Sequence, residues 1–192
     1  GRGERPASGN LHRAAHPLFD LVPQQANVFS LSVERDLGDW GAITVKGFAE
    51  DIEDIVDRIP IGTGEGPGNL DAAQRSGGEI DATFKLGKIG FAGAELKLKG
   101  EASTSRIDDP LTGERRRINF DDVAFVFAEL RQDVPNTDWA WGLTFENYRN
   151  NGFYRLSERG QETAVPGFAV AFAEHKDIFG LRGTLRVGNL LD

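Results

Sequence analysis

Glu79-Ile80-Asp81-Ala82-Thr83-Phe84-Lys85-Leu86 alternates strictly, with Ile80, Ala82, Phe84 and Leu86 on one side and Glu79, Asp81, Thr83 and Lys85 on the other. Side chains along a strand point to opposite faces with a period of two, so this stretch specifies a two-faced β-strand. Glu95-Leu96-Lys97-Leu98-Lys99-Gly100-Glu101-Ala102 repeats the pattern, and its polar side is fully charged. Trp139, Trp141, Leu143 and Phe145 alternate with Ala140, Gly142, Thr144 and Glu146. Leu181, Gly183, Leu185 and Val187 do the same with Arg182, Thr184, Arg186 and Gly188. Less regular runs at 28–35, 42–55, 120–132 and 167–174 bring the expected total to about eight strands.

One segment reads two ways. Ile52, Ile55, Val56 and Ile59 follow helical spacing with Glu53, Asp54 and Asp57 opposite, so 50–59 is either a short helix or a strand end; Pro60 stops both. The links between strands alternate in length: 36–40, 87–93, 133–137 and 175–180 are short, whereas 60–76, 107–116 and 150–165 are long. An antiparallel up-and-down meander with one tight rim and one elaborate rim has this rhythm, as outer-membrane barrels do. The first strand then runs toward the short-turn rim and the last runs away from it. Both ends lie on the elaborate side, the placement expected of a section of a longer barrel.

Composition bounds the possibilities. The 192 residues carry 22 Lys and Arg against 30 Asp and Glu, a net charge of −8, with 39% hydrophobic and 9% aromatic residues. One domain is expected, with residues 1–27 as an N-terminal loop segment and 28–192 as strands. No apolar run approaches the roughly 20 residues of a membrane-spanning helix, but a spanning strand needs only about 9–11, every second one of which can be polar. The absence of Cys excludes disulfides, thiolate catalysis and Cys-ligated metals. No Met is present and the first residues lack the apolar core of a signal peptide, so a processed chain or a fragment is expected. An acidic balance with only the short run Arg115-Arg116-Arg117 argues against nucleic acid as partner.

Alternation alone does not say which face is inside. In a small closed barrel Glu79, Asp81, Lys85, Glu95, Lys97, Lys99, Glu101, Arg182 and Arg186 require dense ion pairing; in a wide watery lumen they do not. The reverse orientation, apolar side chains in a core and charges in bulk water, is that of a soluble β-sandwich or barrel.

Several segments resemble the C-terminal half of TonB-dependent receptors, the plugged outer-membrane transporters of Gram-negative bacteria. Pro6-Ala7-Ser8-Gly9-Asn10 and Asp20-Leu21-Val22-Pro23-Gln24-Gln25-Ala26 are similar to an element that leads into a barrel strand of that family. Phe48-Ala49-Glu50-Asp51-Ile52-Glu53-Asp54-Ile55-Val56 resembles a strand rising into an outer loop, and Pro67-Gly68-Asn69 with Ala73-Gln74-Arg75-Ser76-Gly77-Gly78-Glu79 resembles a strand re-entering the barrel. Asp109 to Glu114, Asp138 to Gly142, Glu174 to Gly180 and Gly188 to Asp192 fit a proteobacterial branch. Nothing resembles the TonB box, the plug or the closing aromatic strand. The resemblance implies a partial transmembrane barrel in the outer membrane, against lipid, serving uptake of a scarce solute of the siderophore, vitamin or oligosaccharide class. It also implies a plug and TonB as partners in the complete protein. Glu79, Asp81, Lys85, Lys97, Lys99, Glu101, Arg182 and Arg186 are then the candidate lumen-facing, substrate-binding residues. A free-standing small outer-membrane barrel and a soluble binding module are the alternatives.

Catalytic chemistry is not expected, since no nucleophile elbow, phosphate loop or dinucleotide fingerprint occurs. His12 and His16 are read as solvated loop and no metal site or cofactor is expected. Glu50, Asp51, Glu53, Asp54 and Asp57 are read as a hydrated acidic rim, and Gly62 to Gly66 as a flexible loop. Asp108-Asp109-Pro110 with Thr112-Gly113 has the composition of a tight turn, and Arg115 to Arg117 that of a solvated loop base or an anion contact. Trp40, Trp139 and Trp141 lie beside short turns, where an interfacial girdle or sheet packing would place them.

Overall fold

Alternating stretches joined alternately by tight and elaborate links pair each long strand with the next in the chain. The computed structural model describes residues 21–191, which form one antiparallel sheet. Its long strands are β1 (Gln25–Asp36), β2 (Gly41–Ile61), β3 (Gly64–Lys85), β4 (Ala94–Asp108), β6 (Asp122–Asp133), β7 (Trp139–Asn150), β9 (Phe168–Ile178) and β10 (Leu181–Gly188). Two short strands, β5 (Arg115–Arg116) and β8 (Thr163–Ala164), attach to β4 and β7. The expected up-and-down meander is therefore observed. β1 begins at Gln25, just before the expected boundary at Val28. β1 and β10 lie at opposite edges and the sheet is open, so the pairing of 28–35 with 181–187 that a free-standing eight-stranded barrel requires is absent.

The tight links at 37–40, 86–93, 134–138 and 179–180 all lie at one end of the sheet. At Gly41, φ is +123° and a Cβ would stand 1.8 Å from the Thr83 carbonyl oxygen, so only glycine lets β2 leave its turn against β3. The other end carries the connectors 109–121 and 151–167 and a projecting hairpin.

That hairpin corrects the reading of 60–76 as a long loop. β2 and β3 stay paired from Gly41↔Phe84 to Ile61↔Gly64, with only Gly62 and Thr63 at the tip. Pro60 and Pro67 misled because they usually end strands. Here they lie beyond Glu53, the last β2 residue paired to β1, and beyond Ala73, the last β3 residue paired to β4, where the outer edges are free and a missing N–H costs no ladder bond. The glycines are packing sites: a Cβ on Gly68 would meet Ile59 at 2.1 Å and one on Gly66 would meet Ile61 at 2.6 Å.

The two-way segment 50–59 is strand. Its helical spacing arises because Asp54 has φ +54°, which resets the alternation so that Ile52 and Ile55 fall on the same side. Those two join Ala73 and Ile107 in a buried apolar cluster, with Leu70 and Ile118 packed against it.

That cluster lies on the side of the sheet that carries Lys46, Glu79 and Lys99; the opposite, apolar face has no second layer among the described residues. Phe84 pairs with Leu96, and Ala82 with Leu98, which pairs in turn with Ala128. Leu31, Val45, Ile80, Val126, Leu143, Leu185 and Val187 share this face and are exposed, Leu31 at 64% and Leu185 at 69%. Trp139 and Trp141 stand on the same face at the tight-turn end, and Trp141 Nε1 donates to Gln132 Oε1 at 3.1 Å. No helix among the described residues is long and apolar enough to cross a membrane.

Candidate functional site: the charged face and its loop-end network

Paired residues share a face, so the register converts alternating sequence into rows that cross the sheet. One row runs Lys85, Glu95, Arg131, Gly142, Phe172, Arg186. Two rows further toward the loop end lies Glu34, Thr44, Asp81, Lys99, Phe127, Glu146, followed by Ser32, Lys46, Glu79, Glu101, Phe125, Tyr148. All eight candidate residues, Glu79, Asp81, Lys85, Lys97, Lys99, Glu101, Arg182 and Arg186, thus stand on one face, opposite the apolar one.

Most of their charge is matched locally. Lys46 reaches Glu79 at 2.9 Å, Lys99 reaches Asp81 at 3.3 Å, and Lys97 lies 3.5 Å from Glu95 and 3.6 Å from Glu129. Arg131 binds Glu174 at 3.0 Å and stacks 5.6 Å from the Phe172 ring centre; Arg182 approaches Glu174 at 3.9 Å. Lys85, Glu101 and Arg186 make no ion pair among the described residues. Pairs this exposed each contribute about 0–1 kcal/mol, so their consequence is the near-neutral, water-loving surface they create rather than stability. A depression of about 280 Å³ opens on this face among Lys46, Glu79, Asp81, Lys99, Glu101 and Phe125.

Lys46, Glu129, Arg131 and Glu174 belong to the same surface and were not singled out from the sequence. Phe125 and Phe127 stand on the charged face between apolar neighbours, which hides the alternation of β6.

The loop end has a different construction. Arg116, its side chain 2% exposed, donates from Nη1 to Asp57 Oδ2 at 3.1 Å and from Nη2 to Asp109 Oδ1 at 3.3 Å. Asn119 Nδ2 donates to Asp57 Oδ1 at 2.6 Å, the backbone N–H of Tyr154 donates to Asn119 Oδ1 at 2.9 Å, and the Tyr154 ring lies 5.1 Å from the Arg116 guanidinium. One buried cation therefore ties together the β2–β3 hairpin and the connectors 109–121 and 151–167. Two expectations change: Arg116 is not a solvated loop base, and Asp57 is not part of a hydrated rim, because each is the other's buried partner. Arg115 remains exposed beside Asp108, and Arg117 Nη1 donates to the Ser103 carbonyl at 3.1 Å.

The expected tight turn at 108–113 is present. Asp109 accepts hydrogen bonds from Leu111 N–H and Thr112 Oγ1, the Gly113 N–H donates to its carbonyl, and Gly113 has φ +74°. Burial pushes the Asp109 carboxyl up, but Arg116, Thr112 and the Leu111 N–H outweigh it and hold the group below the usual carboxylate range. At the tight-turn end Lys88 holds Asp39 down in the same way, by a hydrogen bond and by its charge.

Among the described residues no three His, Cys, Asp or Glu side chains gather as a metal site. His12 and His16 lie outside the described residues, and His175 packs edge-on against Trp139 at 4.7 Å. Comparison with protein-family models and with curated proteins finds no match to this chain.

Proposed function

We propose that this sheet is a section of the wall of an outer-membrane β-barrel of the TonB-dependent receptor type, in a Gram-negative cell. Its apolar face lies against lipid and its charged face lines a water-filled interior used for solute uptake. The observation that carries the reading is the division of the faces, fullest from β1 to β4: an uncovered apolar face backed by rows of Lys, Arg, Asp and Glu. In water an exposed apolar area of this extent is unfavourable at roughly 25 cal/mol per Å²; against hydrocarbon that cost vanishes. A soluble sandwich would bury Leu31, Val45, Ile80 and Leu185 under a second sheet, and these are exposed.

The asymmetry of the two ends supports the same orientation, with the tight turns on the periplasmic side and the projecting hairpin and connectors outside. Trp40, Trp139 and Trp141 then sit at the periplasmic interface, where amphipathic rings are favoured. In hydrocarbon every unpaired backbone N–H and C=O costs several kcal/mol, so the proposal requires further strands beside β1 and β10. Uptake of a scarce solute past a plug, powered through TonB, is the activity this reading assigns to the complete assembly. Glu101, Lys85 and Arg186 are its uncommitted charges for solute contact.

The absence of Cys makes the test direct. In outer-membrane vesicles, single cysteines at Ile80, Leu98 and Leu143 are expected to resist a water-soluble maleimide, whereas cysteines at Asp81, Lys97 and Thr144 react. Equal labelling of the two sets would overturn the proposal.

A further inference from the structure

We infer that residues 116–121 form an inward shelf that narrows the solute path on the charged face near the loop end. The inference rests on the reading of that face as the wall of a water-filled interior. It starts from an anomaly in the rows: Ile52, Ala73 and Ile107 are aligned partners on the otherwise wet face, yet each is at most 5% exposed. Packed against them are Leu70, from β3 itself, and Ile118, from the connector between β4 and β6.

The connector crosses more than that row. The next row contains Glu50, Arg75 and Ser105; there the Ile118 N–H donates to Ser105 Oγ at 3.1 Å, while Arg75 bridges Glu50 at 2.9 Å and Asp121 at 3.4 Å. The row after contains Phe48, Gly77 and Ser103, where Arg117 binds the Ser103 carbonyl. Three successive rows span four residues of strand, roughly 13 Å at about 3.3 Å each. With its backbone in hydrogen-bond contact with Ser105, the connector lies directly on the face and takes up part of the free bore over these rows.

The shelf is fixed from its far side as well. Asn151 N–H donates to the Asp121 carbonyl at 2.8 Å and Asn151 Nδ2 to the Ile118 carbonyl at 2.8 Å, while Arg116 clamps the approach to Asp57 and Asp109. A connector standing free above the barrel would instead leave Ser105 and the Ile52 row open to water. On the shelf, Phe120 is 64% exposed, has φ +57° and lies 5.5 Å from the Phe153 ring, so a solute passing there meets an aromatic surface. A bulky residue held at positive φ is strained, and such strain persists only where the surrounding contacts fix it.

Two single cysteines on β4 read the shelf in outer-membrane vesicles. Ser105→Cys lies beneath it, 3% exposed in the native residue, and Glu101→Cys lies on the same face beyond its reach. Glu101→Cys is expected to react with a water-soluble maleimide at least tenfold faster. Adding Ile118→Asp brings Ser105→Cys to within about threefold of Glu101→Cys without altering the latter. If Ile118→Asp prevents folding, Asn119→Ala, which leaves the Arg116 pairs in place, is expected to give an intermediate rate. Equal labelling of the two cysteines before any shelf change overturns the inference, as does protection of Ser105→Cys that no shelf variant relieves. Failure of the wall reading is distinct: it shows as free labelling of Leu98→Cys, whatever Ser105→Cys does.

Discussion

Leu98→Lys is the substitution on which the orientation of the sheet turns. Leu98 lies between Ala82 and Ala128 on the apolar face. On its side of β4 small or apolar residues run from Ala94 to Ala102, with Thr104 and Arg106 beyond, so Leu98 sits at the middle of a band about 27 Å long at roughly 3.4 Å per residue. A lysine at the bilayer midplane of a barrel wall costs about 2–4 kcal/mol. At about 1.4 kcal/mol per factor of ten, this weakens folding into lipid between roughly 30-fold and several hundred-fold. Lys97→Leu, one residue away on the other face, removes ion pairs at 3.5 and 3.6 Å from a half-exposed side chain and should cost no more than about 1 kcal/mol. The assay is urea-dependent refolding, into lipid vesicles, of the complete barrel that the proposal assigns, followed by its heat-sensitive gel mobility. On a water-facing sheet a surface Leu→Lys change stays within about 0.5 kcal/mol. A Leu98→Lys midpoint indistinguishable from the parent would therefore refute the assignment of lipid to this face.

Four other outcomes are expected. Arg116→Ala leaves the Asp57 and Asp109 carboxylates buried without their cation and should cost about 3–5 kcal/mol, whereas Arg115→Ala, at an exposed pair, stays near zero; protease susceptibility of the 109–121 connector measures both. Because Asp109 is held below the usual carboxylate value, its contribution is fully present above about pH 4 and is lost as pH falls through its lowered value; Asp109→Asn should flatten the acid limb of a protease-protection titration. Gly77→Val would press a side chain against the Ala102 carbonyl at 2.5 Å and Phe48 at 2.7 Å, and a lowered unfolding temperature in detergent is the expected readout. In detergent-free buffer the chain should aggregate, since β1 offers an exposed edge with Val28, Phe29, Leu31 and Val33 and no proline; a monodisperse, folded peak in size-exclusion chromatography would contradict this.

The strands were legible wherever one face is charged and the other is not. In β3 and β4 the pattern at 79–86 and 95–102 survives intact, and all eight candidate residues emerge on one face. β6 was harder, because Phe125 and Phe127 make both its faces locally apolar and conceal Arg131 and Glu129. The hairpin beyond Glu53 was misread because Pro60, Pro67 and four nearby glycines have the composition of a loop, while the packing of Ile59 and Ile61 over glycines has no signature in periodicity. The Arg116 clamp was invisible for another reason: Asp57 lies 59 positions away, and only the return of the connector across the sheet brings them together.

Because each long strand is hydrogen-bonded to its immediate predecessor and successor in the chain, the sheet has the arithmetic of a zipper. A strand entering the sheet finds its docking edge already built by the one before it, so growth by successive addition demands little search through the chain. An injury to one tooth propagates weakly to teeth several places away, and the free flank of β10 presents the template for whatever is added next.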